Sequence, residues 1–205
     1  MSSTTTISLP STAEPAQVSW GLERNDGSFV SPLSGFTQEL ERGGARWMAT
    51  LTWKVLSDKD AAKVSAWAAR MSKAGIRCRL PNYGYVQHGA GGGTPLVNGA
   101  NQTGIALITD GWPFSTLVLS MGDMVQLATG QLVMVCSDGT SDGAGNLTLD
   151  IEPKIRTSPA DNSALTLASP TALFMFPKKS YTVGYSPANP KPVGAFSVDL
   201  VEDPQ

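Results

Sequence analysis

The sequence predicts a mainly β protein: a β-sandwich-like domain with one flanking α-helix, into which a small OB-like or SH3-like antiparallel β-barrel is inserted. Three observations predict it. Short runs of alternating apolar and polar residues recur between clusters of Gly, Pro, Asn and Asp, the pattern of half-buried strands joined by turns. A single stretch, Ser57 to Gly75, has helical period and helical caps. Between Ile105 and Pro153 five short strand-like runs follow one another with tight turns and no helix, as in small barrels.

Taken in order, "MSSTTTISLPSTAEPAQ" has neither a basic nor an apolar leader region, and residues 1–16 read as a flexible arm. Val18, Trp20 and Leu22 alternate on one strand face, and Asn25-Asp26-Gly27 offers a tight hairpin to a return strand, Ser28 to Val30. Phe36, Gln38 and Leu40 share a face. So do Trp47, Ala49, Leu51 and Trp53, and Gly43-Gly44 between the two runs predicts a long hairpin with one aromatic face. Such a face needs a cover. The helix from Asp58 to about Lys73 supplies one. Ser57 is its N-cap, Asp58 and Asp60 sit at the positive end of its dipole, and Gly75 is at C′. Val64, Trp67, Ala68 and Met71, with Ala61 beside them, form its apolar stripe, while Lys59, Lys63 and Arg70 fall outside.

A strand, "IRCRL", ends at Pro81. "NYGYVQHGAGGGTPLVNGANQTG" has no period and reads as a loop between domains. The barrel strands are "IALIT", "TLVLS", "MVQLA", "QLVMVC" and "LTLDIEP". After the polar connection "RTSPADNSALTLASP" come "ALFMF", "YTVGY" and "AFSVDLV", the last burying Phe196, Val198 and Leu200. The expected division is residues 1–84 with 159–205 in one domain and 85–158 in the inserted barrel.

The formal charge of −2 argues against general nucleic-acid binding. No apolar run approaches bilayer length. Cys78 and Cys136 read as two reduced thiols. The residues give little support to chemistry. His88, Cys78 and Cys136 lack metal-ligand spacing. "GTSDG" places Ser141 in a G-x-S-x-G pattern, but a strand rather than a helix follows, and His88 precedes the serine. The glycine run after His88 has no Gly-Lys-Ser/Thr and reads as a flexible loop. Asp138, Thr140, Asp142 and Asn146 have calcium-loop spacing, with Leu149 where the closing Glu should stand. Glu39, Glu41, Glu152 and Glu202 could supply a carboxylate pair, but spacing does not bring them together. No catalytic, cofactor-binding or metal residue is therefore assigned, and no cofactor is expected. Trp112, in the turn "DGWPFS", is the one indole expected at the surface, as a contact to a partner or glycan.

Several segments resemble a known family. A Trp followed by "SPLSG", then "RGGARWMATL", the helix "DAAKVSAW", "SMGD" and "GNLTLDIEPKIR" are similar to distal tail proteins of long-tailed, non-contractile phages and to related minor tail proteins of prophages. The resemblance runs from about Val18 to Glu202. It implies a non-enzymatic virion protein whose tail-tube-like β-sandwich forms a six-membered ring at the tail tip, assembled in the host cytoplasm. The implied partners are copies of itself, the tail tube protein and the baseplate hub, with side fibres or the tape-measure protein as further candidates. DNA passes through the channel without specific binding, and no membrane insertion is implied. Glu39 and Glu41 are candidates for acidic channel residues. The alternatives are a tail-tip carbohydrate-binding module or adhesin centred on Trp112, an esterase using Ser141, and a neighbouring tail role as tube or terminator protein.

Overall fold

A computed structural model describes residues 4–40, 43–54, 56–177, 185–186, 189–192 and 196–203. Among these the protein is mainly β with one helix, and it divides into two compact units. The first comprises Met1–Gly21, Trp47–Tyr85 and Thr171–Asp203, and the second Leu22–Arg46 with Val86–Pro170.

The sheet of the first unit contains β1 (Thr5–Ile7), β2 (Gln17–Glu23), β5 (Arg46–Trp53), β6 (Ile76–Pro81), β14 (Thr171–Met175) and β17 (Phe196–Glu202). Their order is β1-β6-β14-β17-β5-β2. On β5, Trp47, Ala49, Leu51 and Trp53 are all buried, as their alternation predicts. β17 pairs antiparallel to it, with Phe196 opposite Trp53, Val198 opposite Leu51 and Leu200 opposite Ala49.

The helix α1 (Asp58–Met71) buries Ala61, Val64, Trp67, Ala68 and Met71, the stripe read from the sequence. Trp67 meets Trp53 edge-on at 6.5 Å between ring centroids, and Trp53 stacks on Phe196 at 5.4 Å. The helix therefore covers the aromatic face. Each indole buries roughly 200 Å², about 5 kcal/mol of transfer free energy before conformational entropy is subtracted. Ser57 caps the helix by accepting from Asp60 N at 3.1 Å, and its hydroxyl donates to Asp60 Oδ2 at 2.7 Å. Gly75, at φ +80°, makes the turn that follows.

Several expectations are corrected. Of the expected flexible arm, residues 4–16 are part of the fold: β1 pairs parallel with β6, Ala13 is buried, and the Ala13 carbonyl accepts from Trp53 Nε1 at 2.8 Å. The Thr- and Ile-rich run of Thr5–Ile7 has the β-branched composition that suits an edge strand. Neither expected N-terminal hairpin forms. β3 (Gly27–Val30) pairs with β4 (Thr37–Leu40), while β2 and β5 are neighbours in the large sheet. The turn is at Ser31–Phe36, where Ser31 N donates to Phe36 O at 2.9 Å and Gly35 takes φ +67°. "YTVGY" falls largely outside the described residues. Tyr185–Ser186 pairs with Asn189–Pro192 (β15 and β16).

β6 and β14 pair antiparallel with Thr171 opposite Pro81. The chain between them thus leaves and returns at adjacent points of one sheet. In the second unit, β7 (Leu96–Val97), β8 (Gly104–Asp110), β10 (Met124–Gln126), β11 (Leu132–Val135) and β13 (Leu147–Ile155) form one sheet, ordered β10-β11-β13-β8-β7. β9 (Leu117–Leu119) pairs instead with β12 (Gly139–Thr140).

The second compact unit runs to Pro170 and takes in Leu22–Arg46, whereas the expectation ended the inserted domain at residue 158 and left residues 22–46 in the other. Ala164 bridges to Leu96 on one edge of the sheet and Thr166 to Gln126 on the other, so the sheet curls and this segment links its two edges. Leu165 joins a core of Leu107, Trp112, Val118, Val133, Leu149 and Ile151. These bridges are long-range, and no local pattern in "SALTL" announces them.

Candidate functional site

The first unit presents a polar sheet face opposite its aromatic one. Alternation on β5 and β17 turns Thr50, Thr52, Ser197 and Asp199 away from the core. Thr50 Oγ1 donates to Asp199 Oδ1 at 2.9 Å, and the Thr52 and Ser197 hydroxyls are 2.9 Å apart. These cross-strand pairs tie β5 to β17 along a strip of polar side chains. The outer strands, β1 and β2, are the ends of the strand order among the described residues. The buried Glu202 accepts from Trp47 N at 3.1 Å, tying the end of β17 to the start of β5, and Arg77 pairs with Asp203.

In the second unit the glycine-rich segment is a fixed strip, contrary to its reading as a flexible loop. Ala90 N donates to Leu117 O at 3.1 Å and Gly91 N to Val118 O at 2.8 Å, along β9. A Cβ on Gly89 would lie 2.4 Å from Leu119 Cα, so the strip can approach the strand only without a side chain there. Asp123 anchors its start. Its buried carboxylate accepts from His88 N, Gly89 N and Ser120 N, each at 2.8 Å. Burial pushes the Asp123 carboxyl up, but the three backbone donors outweigh burial and leave it below its ordinary 3.8. The His88 ring is exposed, 3.6 Å from that carboxylate.

Trp112 is not at the surface. It is 2% exposed, and its Nε1 donates to Thr109 Oγ1 at 2.8 Å, which donates to Leu147 O at 2.8 Å. Its turn folds back onto the loop before β13, where Trp112 N also donates to Gly145 O at 3.2 Å. The expected partner or glycan contact therefore has no exposed ring to make it. Ser141 is likewise buried: its hydroxyl donates to Pro113 O and accepts from Thr116 N at 3.1 Å. That is a turn-fixing role, and a nucleophile elbow would leave the oxygen open.

Asp138, Thr140, Asp142 and Asn146 do line one shallow hollow of about 480 Å³. The two carboxylates are engaged within the protein. Asp142 accepts from Ala144 N, Asn146 N and Asn146 Nδ2, and Asp138 accepts from Met121 N. These contacts, led by Asn146, hold the Asp142 carboxyl below its ordinary value. Among the described residues no three His, Cys, Asp or Glu side chains are grouped as metal ligands.

Of the four candidate glutamates, Glu39 and Glu152 line a second hollow of about 660 Å³ with Arg24, Asp26 and Lys154. Glu202 is buried in the first unit, and Glu41 lies outside the described residues. Arg24 pairs with Asp26 and lies 3.6 Å from Glu39, so this hollow is a mixed-charge surface. Cys78 and Cys136 are free thiols. Burial pushes Cys78 up to about 11, and burial with Asp150 and Glu152 nearby raises Cys136, so neither is activated as a thiolate. No helix among the described residues is long and apolar enough to cross a membrane.

No protein-family profile matches the chain, and no curated protein matches it closely enough to count as a relative.

Proposed function

We propose that this chain is a structural virion protein, the distal tail protein of a long-tailed phage. It forms a six-membered ring that joins the tail tube to the baseplate hub and leaves a channel for DNA. It acts without catalysis or cofactor. The observation that carries the reading is the six-stranded sheet of the first unit: helix-backed on one face, crossed by a strip of hydroxyls and Asp199 on the other, and ending at β1 and β2 among the described residues. A sheet with two open edges can continue from subunit to subunit until a ring closes. Its strip of hydroxyls and Asp199 then forms part of the channel wall, and on the same face the Arg77 cation is matched by Asp203. The Val86–Pro170 part of the second unit, which leaves the sheet after Pro81 and returns at Thr171, takes the place of the inserted OB-like barrel.

The test begins with native mass and negative-stain imaging of the purified chain, where a ring of about six copies with a central hole is expected. Gold-labelled antibody on tailed particles from the source cells then decides. Gold at the free end of the tail is the expected result. Gold along the tube or at the head junction would assign a tube or terminator role, and unlabelled particles would end the virion reading.

A further inference from the structure

We infer that the β3–β4 ribbon is a docking arm whose occupant is a second copy of this chain. The ribbon is a two-stranded sheet of its own. Its register puts Phe29, Phe36 and Leu40 on one face, because Phe29 opposes Gln38 and Gly27 opposes Leu40. All three are exposed, Phe36 at 73%, and Leu33 at the tip is 98% exposed. The opposite face carries Ser28, Thr37 and Glu39 beside Val30, so the ribbon is amphipathic with no core beneath its apolar side. An isolated hairpin is marginal in water, and an apolar face of this kind lowers its free energy only when covered.

Two features favour a second copy over an unrelated protein. The first is size. Phe29, Leu33, Phe36 and Leu40 leave on the order of 600 Å² uncovered, about three quarters of the roughly 800 Å² that each partner contributes to a stable interface. The second is that the chain carries another uncovered apolar set, Phe114, Leu117 and Met121, along the segment around β9. A head-to-tail contact needs two different unpartnered surfaces on one chain, whereas a foreign ligand needs only one. The inference deepens the ring reading and rests on it for the number of copies, not for the surface.

The test is concentration-dependent sedimentation of the full chain and of two variants, the double Phe29→Ser/Phe36→Ser and the tip change Leu33→Glu. Amide exchange at His88, Gly89 and Ser120, whose N–H groups are held by Asp123, checks that the second unit remains folded. The expected result is assembly of the unmodified chain and a loss of about tenfold or more in self-affinity for both variants. Assembly of both variants at undiminished affinity would overturn the arm and leave the ring reading standing. An unmodified chain that stays monomeric at its highest soluble concentration would overturn the second copy as occupant, and the ring reading would then stand or fall on the gold labelling alone.

Discussion

Replacing Asp123 by Asn removes one charge and hardly any volume, which makes it a sharp probe of how the second unit holds its glycine-rich strip. In the native protein Oδ1 accepts from His88 N, while Oδ2 accepts from Gly89 N and Ser120 N. An Asn in its better orientation keeps its oxygen toward Gly89 and Ser120 and turns its NH2 toward the His88 N–H, donor against donor. One bond to a charged acceptor, worth about 1.5–3 kcal/mol, is lost. The two that remain become neutral and lose about half their strength, roughly 1 kcal/mol together. Relief from burying a charge offsets part of this. The expected cost is about 2–4 kcal/mol. Urea unfolding followed by circular dichroism measures it, and amide exchange at His88, Gly89 and Ser120 localises it.

The pH dependence provides a second check. The folded Asp123 carboxyl lies below its ordinary value of 3.8, so its contribution is complete above that pH and is lost as pH falls through the folded value. The Asn variant lacks this component, so the gap between the two proteins narrows below about pH 4. A destabilisation under about 0.5 kcal/mol, or a gap that does not narrow in acid, would refute the clamp.

Three further outcomes are expected. Trp112→Ala destabilises the second unit by about 3–5 kcal/mol, read by urea unfolding followed by circular dichroism; an intact unit that has lost saturable sugar binding would restore the surface reading. Gly93→Ala costs about 2–3 kcal/mol, because φ is +69° and a Cβ there would lie 2.2 Å from Gly111 O; an unchanged melting temperature would disprove that approach. Ser57→Ala costs about 1 kcal/mol as a lost N-cap. It also raises the Asp60 carboxyl from about 2 toward 3.8, since the Ser57 hydroxyl is the largest cause of that depression, ahead of Lys63 and Thr12; carboxyl titration by NMR that stays at about 2 would count against the assignment.

The features legible in the sequence are local ones. The alternation of Trp47, Ala49, Leu51 and Trp53 and the stripe of Val64, Trp67 and Met71 follow from periods of 2 and 3.6 that operate within a few residues. The helix cap at Ser57 is equally local, and all three are found in the structure. The five short strand runs after Ile105 also form strands. Only the tertiary structure decided which strands pair. β3 joins β4 rather than β2, β9 leaves the main sheet for β12, and the segment around Ala164 and Thr166 links two distant edges. Strand edges offer the same backbone donors and acceptors whatever their sequence, so pairing is chosen by long-range packing that periodicity does not encode. The exposure of Trp112 was misjudged for a related reason. A Trp in a Gly-Pro turn resembles a surface residue until the turn folds back, and burial became favourable only because Thr109, 3 residues away, presents a hydroxyl to the indole N–H. Asp123, in a short "MGD" turn, gave no sign that three amides would converge on it. Two come from a segment more than 30 residues earlier in the chain, and only the folded chain brings them within 2.8 Å.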